Sequence, residues 1–199
     1  MLLIFISGCS RKYVAYPVHA SDVKPMAGSG EPALKYRASI DIFKKHFSGI
    51  LLYKKTDSLS SHIVFVTELG MKIFDFEIKA DSFRLISAFP GFDSKPHLIE
   101  MLKKDLGLIF QTSMYSQDAE KRKKGIKANV IYRIPYQKTY AYYFIDAESK
   151  QPVRAYEGNW FRNKVKVRYE NYSNGVAGGI ILKHIGLPVR MNLTLIQSQ

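Results

Sequence analysis

One cysteine, Cys9, and one tryptophan stand in a chain of 199 residues. A lone thiol excludes an internal disulfide, so an oxidising compartment is allowed but not used. It also excludes a zinc site built on paired cysteines, and the five histidines, His19, His46, His62, His97 and His184, show no metal-ligand spacing. Acidic residues are scarce: 17 Asp and Glu against 30 Lys and Arg leave a formal net charge of +13. No apolar run reaches the roughly 20 residues that a bilayer-spanning helix needs. Phosphate loops of the Gly-Lys-Ser/Thr kind, the Gly-x-Ser-x-Gly elbow and the dinucleotide fingerprint are all missing. Asp75 and Glu77 share a strand face, but Lys72 and Lys79 stand beside them, so the pair reads as solvated surface and not as an acid–base couple. No enzyme, no metal and no cofactor is expected.

What is present begins at the N-terminus. The run Met1-Leu2-Leu3-Ile4-Phe5 closes on Ile6-Ser7-Gly8-Cys9, the pattern of a bacterial lipoprotein signal with its lipobox. Small residues at Ser7 and Gly8 leave the next bond open to a peptidase, and the Cys9 thiol is the group that takes a diacylglyceryl thioether. The alternative is a small buried thiol in an ordinary apolar N-terminus. The lipobox reading divides the chain into a signal peptide at 1–8, a lipid-anchored linker at 9–32 and a globular domain at 33–199. Pro17, Pro25, Pro32, Gly28 and Gly30, without apolar periodicity, mark the linker. Two acyl chains, of the palmitate type, suffice for stable membrane anchoring.

The body opens with period-two alternation over 36–43, and strand signals recur at 47–55, 62–69, 71–80 and 83–89 with short polar turns between them. The period then changes. Leu98, Leu102, Leu106 and Ile109 recur at helical spacing, which predicts an amphipathic helix over 95–110 with Asp93 or Ser94 as cap and Pro96 in its first turn. The polar stretch 111–127 carries Lys121, Arg122, Lys123 and Lys124 and reads as loop. A solvated run is the plain reading of that cluster; contact with anionic lipid headgroups is the functional one, at about 1 kcal/mol per basic residue. Strands resume at 128–134, 139–145, 152–157, 165–169, 178–184 and 188–196. The sum is a mainly β, α+β chain of about eleven strands and one to three helices.

This order, an antiparallel sheet interrupted midway by one amphipathic helix and finished by a strand after Gly186-Leu187-Pro188, resembles the LolA/LolB-like lipoprotein-localisation superfamily. The resemblance covers residues 36–196 in outline and is carried by Phe47-Ser48-Gly49, by the segment from Glu68 to Phe76 and by the lipobox, which favours the LolB side. It implies an unclosed antiparallel half-barrel lidded by helix. It also implies a lipid-anchored monomer on the outer membrane, facing the periplasm, that shields acyl chains of lipoproteins or lipids and receives them from a soluble LolA-like carrier. No nucleic acid partner is implied. Leu69, beside Gly70, matches the exposed leucine that LolB uses to hand lipoproteins to the membrane, with Leu59 as a rival and a buried strand end as the alternative for Leu69. Phe74, Phe76, Phe83, Leu85 and Phe144 are the candidates for the acyl-binding face, each also readable as plain core. A second class of function stays open: a structural lipoprotein that docks an envelope partner or anionic lipid through its basic surface.

Overall fold

The computed structural model describes residues 23–24, 32–57, 60–79, 82–90, 92, 94–111, 120–123, 129–136, 138–159 and 162–196. Along the chain run β1 (Leu34–Ile42), β2 (Lys45–Lys55), β3 (Ser60–Thr67), β4 (Lys72–Lys79) and β5 (Ser82–Ala88), then α1 (Pro96–Ile109). After the helix come β6 (Glu120–Lys123), β7 (Asn129–Tyr136), β8 (Thr139–Asp146), β9 (Pro152–Asn159), β10 (Arg162–Ser173), β11 (Val176–His184) and β12 (Val189–Leu195). The described strands form one antiparallel sheet of twelve in the order β5-β4-β3-β2-β1-β12-β11-β10-β9-β8-β7-β6. Its two meanders meet where the first strand pairs with the last, from Tyr36 opposite Leu195 to Ile42 opposite Val189. The outer strands β5 and β6 are not paired to each other, so the sheet is an open half-barrel.

Alternation decides which side of each strand is buried. In β1 the side chains of Tyr36, Ala38, Ile40 and Ile42 are buried, and in β10 Val165, Val167 and Tyr169 are buried while Lys164, Lys166 and Arg168 face solvent. Full burial of one such apolar side chain is worth about 1.5–3 kcal/mol, and a one-residue slip would turn the whole set outward. One end of the β3–β5 half is filled by a cluster of aromatics: Phe74 lies 5.0 Å from Phe76, 5.5 Å from Phe65 and 5.9 Å from Phe92 between ring centroids.

The helix runs Pro96–Ile109, with Lys95 at the N-cap and no side-chain capping bond. Ser94 therefore does not cap as the sequence predicts, and Asp93 lies outside the described residues. Part of the stretch read as loop is strand: β6 pairs with β7, Lys121 opposite Tyr132 and Lys123 opposite Val130. An edge strand made of charged residues needs no apolar face and discourages pairing with another chain, which is why no alternation announces it.

Because every neighbouring pair is antiparallel, turns alternate between the two ends of the sheet. The β1–β2, β3–β4 and β11–β12 turns share one end with the start of α1, called here the mouth. At the other end, beside the β8–β9 turn, the Lys24 amide donates to the Lys150 carbonyl at 3.0 Å and Val23 is buried in the main core. The segment read as linker thus contributes a packed residue. No described helix is long and apolar enough to cross a membrane.

Candidate ligand cavity

The helix is bound to the sheet unevenly, and the cavity follows from that. Its second half carries the ties. Tyr136 donates its hydroxyl to the Lys104 carbonyl at 2.6 Å, Tyr143 to Leu108 at 3.1 Å, and Tyr169 to Leu108 at 3.1 Å and Ile109 at 2.9 Å. The Leu108 and Ile109 carbonyls of the last helical turn have no partner within the helix, so Tyr143 and Tyr169 supply the missing donors, while Tyr136 adds a bond to a carbonyl one turn earlier. Burial pushes the hydroxyl pKa of all three tyrosines upward, so they stay protonated donors at neutral pH. At the helix end Phe110 stacks on Tyr53, with ring centroids 4.3 Å apart and planes 6° apart. Midway, the Nε2–H of buried His184 donates to both carboxylate oxygens of buried Asp105, at 2.9 and 3.0 Å.

The first half of the helix has none of these ties. Between it and the mouth ends of β1, β2 and β12 lies a cavity of about 1040 Å³, walled by Ile42, Phe43, Pro96, Leu98, Met101 and Pro188. That volume reaches the upper end of the roughly 300–1,000 Å³ typical of ligand pockets. Its polar lining is Lys44, Lys45, Lys95, His97 and Ser94, all exposed at the lip. The lip is shaped by the tight β1–β2 turn: Phe43 takes φ 55°, its amide donates to the Pro188 carbonyl at 2.9 Å, and the residue is 59% exposed.

Further apolar side chains stand in water at the same end: Leu69, Met71, Phe89, Ile185 and Leu187. Leu69 is 96% exposed, on a turn where the Gly70 amide donates to the Thr67 carbonyl at 2.9 Å and the Met71 amide to Thr67 Oγ1 at 3.2 Å. It is therefore not a buried strand end. Exposed apolar groups gathered at one rim mark an interaction surface more than scattered ones do.

The other sequence-derived candidates fall elsewhere. Phe74 and Phe76 are buried core, and Phe83 and Leu85 pack against that core; none of the four lines the cavity. Phe144 is on the opposite face from Tyr143 and Ile145, because strand alternation turns it outward, where Arg154 lies 4.8 Å from its ring centroid. It is not an inner-face residue. Cys9, Leu59 and Lys124 lie outside the described residues, as do the side chains of Lys121, Arg122 and Lys123. Ile42, Phe43, Met101 and Pro188 escaped the sequence reading. Their one signal was an apolar residue, Phe43, in a two-residue turn, and apolar Ile185 and Leu187 in another.

The described residues hold no group of three side chains suited to a metal ion. No protein-family model and no curated protein matches the sequence. Among solved structures, the chain is similar to a LolA superfamily protein from Nitrosomonas europaea at 10% identity and TM-score 0.50, covering 84% of this chain and 86% of that one. A DUF1329 family protein from Desulfovibrio piger matches at 11% identity and TM-score 0.45, over 83% of each chain. With its open antiparallel sheet and, among the described residues, one helix across the buried face, the chain has the LolA-like fold.

Proposed function

We propose that this protein is a non-enzymatic, lipid-anchored carrier that shields acyl chains in the cavity beneath the first half of α1. The observation that carries the reading is the cavity itself, about 1040 Å³ with apolar walls, under the half of the helix that no hydrogen bond among the described residues ties to the sheet. Each acyl methylene moved from water into such a wall gains about 0.8 kcal/mol, and contacts of that kind suit a ligand defined by its tails. Acylation at Cys9 anchors the chain to the outer membrane facing the periplasm, where a soluble LolA-like carrier delivers lipoproteins or lipids to it. Leu69 completes the LolB-like reading: an exposed apolar tip on the same end as the mouth is placed to enter a bilayer as cargo leaves.

Uptake of a fluorescent fatty acid and of a triacylated peptide tests this, using chain from Ser10 onward so that Val23 stays in the core. Saturable one-to-one binding, displaced by unlabelled lipid and counted by native mass spectrometry, is expected. Leu69→Glu leaves that binding and the melting temperature unchanged but slows transfer of the peptide to phospholipid vesicles by about tenfold or more, because a leucine's burial is worth about 1.5–3 kcal/mol. A folded chain that takes up neither probe removes the reading.

A second reading is favoured by one observation. On the outer face of β9–β12 stand Arg154, Lys166, Lys183 and Arg190, in neighbouring registers. A docking lipoprotein that used this face would bind its partner with steep salt dependence and take up no acyl probe.

A further inference from the structure

The lip of the cavity has one sign of charge. Lys44 and Lys45 come from the β1–β2 hairpin and Lys95 and His97 from the helix start, and no carboxylate is among the described residues that line the cavity. Among the described residues, the acids nearest along the chain are engaged elsewhere: Asp41 holds His46 at 2.6 Å and Glu100 holds Lys103 at 2.8 Å. None of the three lysines has a carboxylate partner among the described residues. An amphiphile that enters an apolar cavity tail first leaves its head at the mouth, so the head meets these ammonium groups beside a low-dielectric wall, where attraction is stronger than in bulk water.

We propose that the cavity selects amphiphiles whose head is an anion, a carboxylate or a phosphate, and that Lys44, Lys45 and Lys95 read that charge. The inference rests on the acyl-carrier reading and adds the ligand's class to it. Walls of Ile42, Leu98 and Met101 accept any saturated tail and discriminate little between tails; the lysines discriminate between heads. Ammonium groups on flexible stems suit an anion of either geometry, because Lys acts as a point charge and does not demand the planar match that Arg does.

The test uses the full chain with Cys9→Ser, delipidated, and three probes that share a palmitoyl tail: palmitate, lysophosphatidate and uncharged monopalmitoylglycerol. Titration calorimetry at neutral pH and low salt is expected to give at least one anion about tenfold tighter binding than the neutral lipid, a difference of one decade in Kd. Preference for palmitate assigns the carboxylate, preference for lysophosphatidate the phosphate, and equal gain for both assigns charge alone. The triple variant Lys44→Gln, Lys45→Gln, Lys95→Gln is expected to lose the preference while keeping its affinity for monopalmitoylglycerol. Lys54→Gln, at the far end of β2, leaves the preference intact. Neutral lipid bound as tightly as both anions, or a triple variant that still prefers them, overturns the inference and leaves the carrier standing. Binding of none of the three overturns both.

Discussion

Phe43 is the residue at which backbone geometry and the proposed ligand make opposite demands. Its φ of 55° puts a bulky side chain in the left-handed region, which costs an L-residue roughly 1–2 kcal/mol. The residue does not offset this by burial, since more than half of its surface faces water. Strain of this kind persists where a site uses it, and here the turn sets an aromatic wall at the lip. Phe43→Gly is therefore expected to keep the fold within about 1 kcal/mol of the parent, as strain relief offsets lost contacts, and to weaken palmitate binding several-fold. Urea denaturation alongside a fatty-acid titration reads both. A large loss of stability with unchanged affinity would mean that the ring supports the fold and not the site. At this scale the sequence is only half legible. Alternation shows which residues of a strand share a face, so Phe74 and Phe76 were readable as inward, yet it does not show which inward residues meet a void. Phe144 misleads because an aromatic is stable on an outer strand face when a cation such as Arg154 covers it.

At the scale of the element, α1 was legible in its boundaries and opaque in its attachments. Leu98, Leu102, Leu106 and Ile109 fix the helix because their spacing makes one apolar stripe. Nothing in the sequence marks Tyr136, Tyr143 and Tyr169 as donors to carbonyls of its second half, since a strand tyrosine has the same pattern whatever its hydroxyl reaches. The pair of Asp105 with His184 is likewise a contact across 79 positions. Burial raises the Asp105 pKa above the usual carboxylate range; His184 and Lys104 pull it back, and Glu157 adds to the rise. With a folded pKa above the unfolded value of about 4, the native state binds more protons between those two values. The contribution of this carboxyl to stability is then fullest below the window and falls as pH rises through it. Asp105→Asn, which keeps an acceptor for His184, is expected to flatten that part of the dependence in calorimetric melts taken from pH 4 to pH 7. An unchanged slope would show that Asp105 titrates alike folded and unfolded.

For the whole molecule, the sequence made the open sheet readable because eleven of its strands announce themselves by alternation, while the closing pair of β1 with β12 follows from no local signal. That pairing, with alternating turns, puts the cavity, its lysines and the apolar turns of Leu69 and Ile185 at one end, and Val23 at the other. A chain anchored through Cys9 is therefore held by the end away from its mouth. The 14 steps from Cys9 to Val23 reach about 46 Å when extended, at roughly 3.3 Å each. The 11 residues of β2 span about 36 Å along the strand. On the proposed anchoring through Cys9, a tether of that reach is long enough to pass the length of the sheet and let the mouth face the membrane. Removing eight residues between Cys9 and Val23 leaves a reach of about 20 Å, too short for that return. An acylated variant with this deletion, reconstituted in vesicles, is expected to bind a fluorescent triacylated peptide as the parent does and to fail to pass it into its own bilayer. Transfer to a second population of vesicles, which needs no return of the mouth, is expected to persist. Undiminished transfer into its own bilayer would mean that cargo leaves by another route than the lysine-lined mouth.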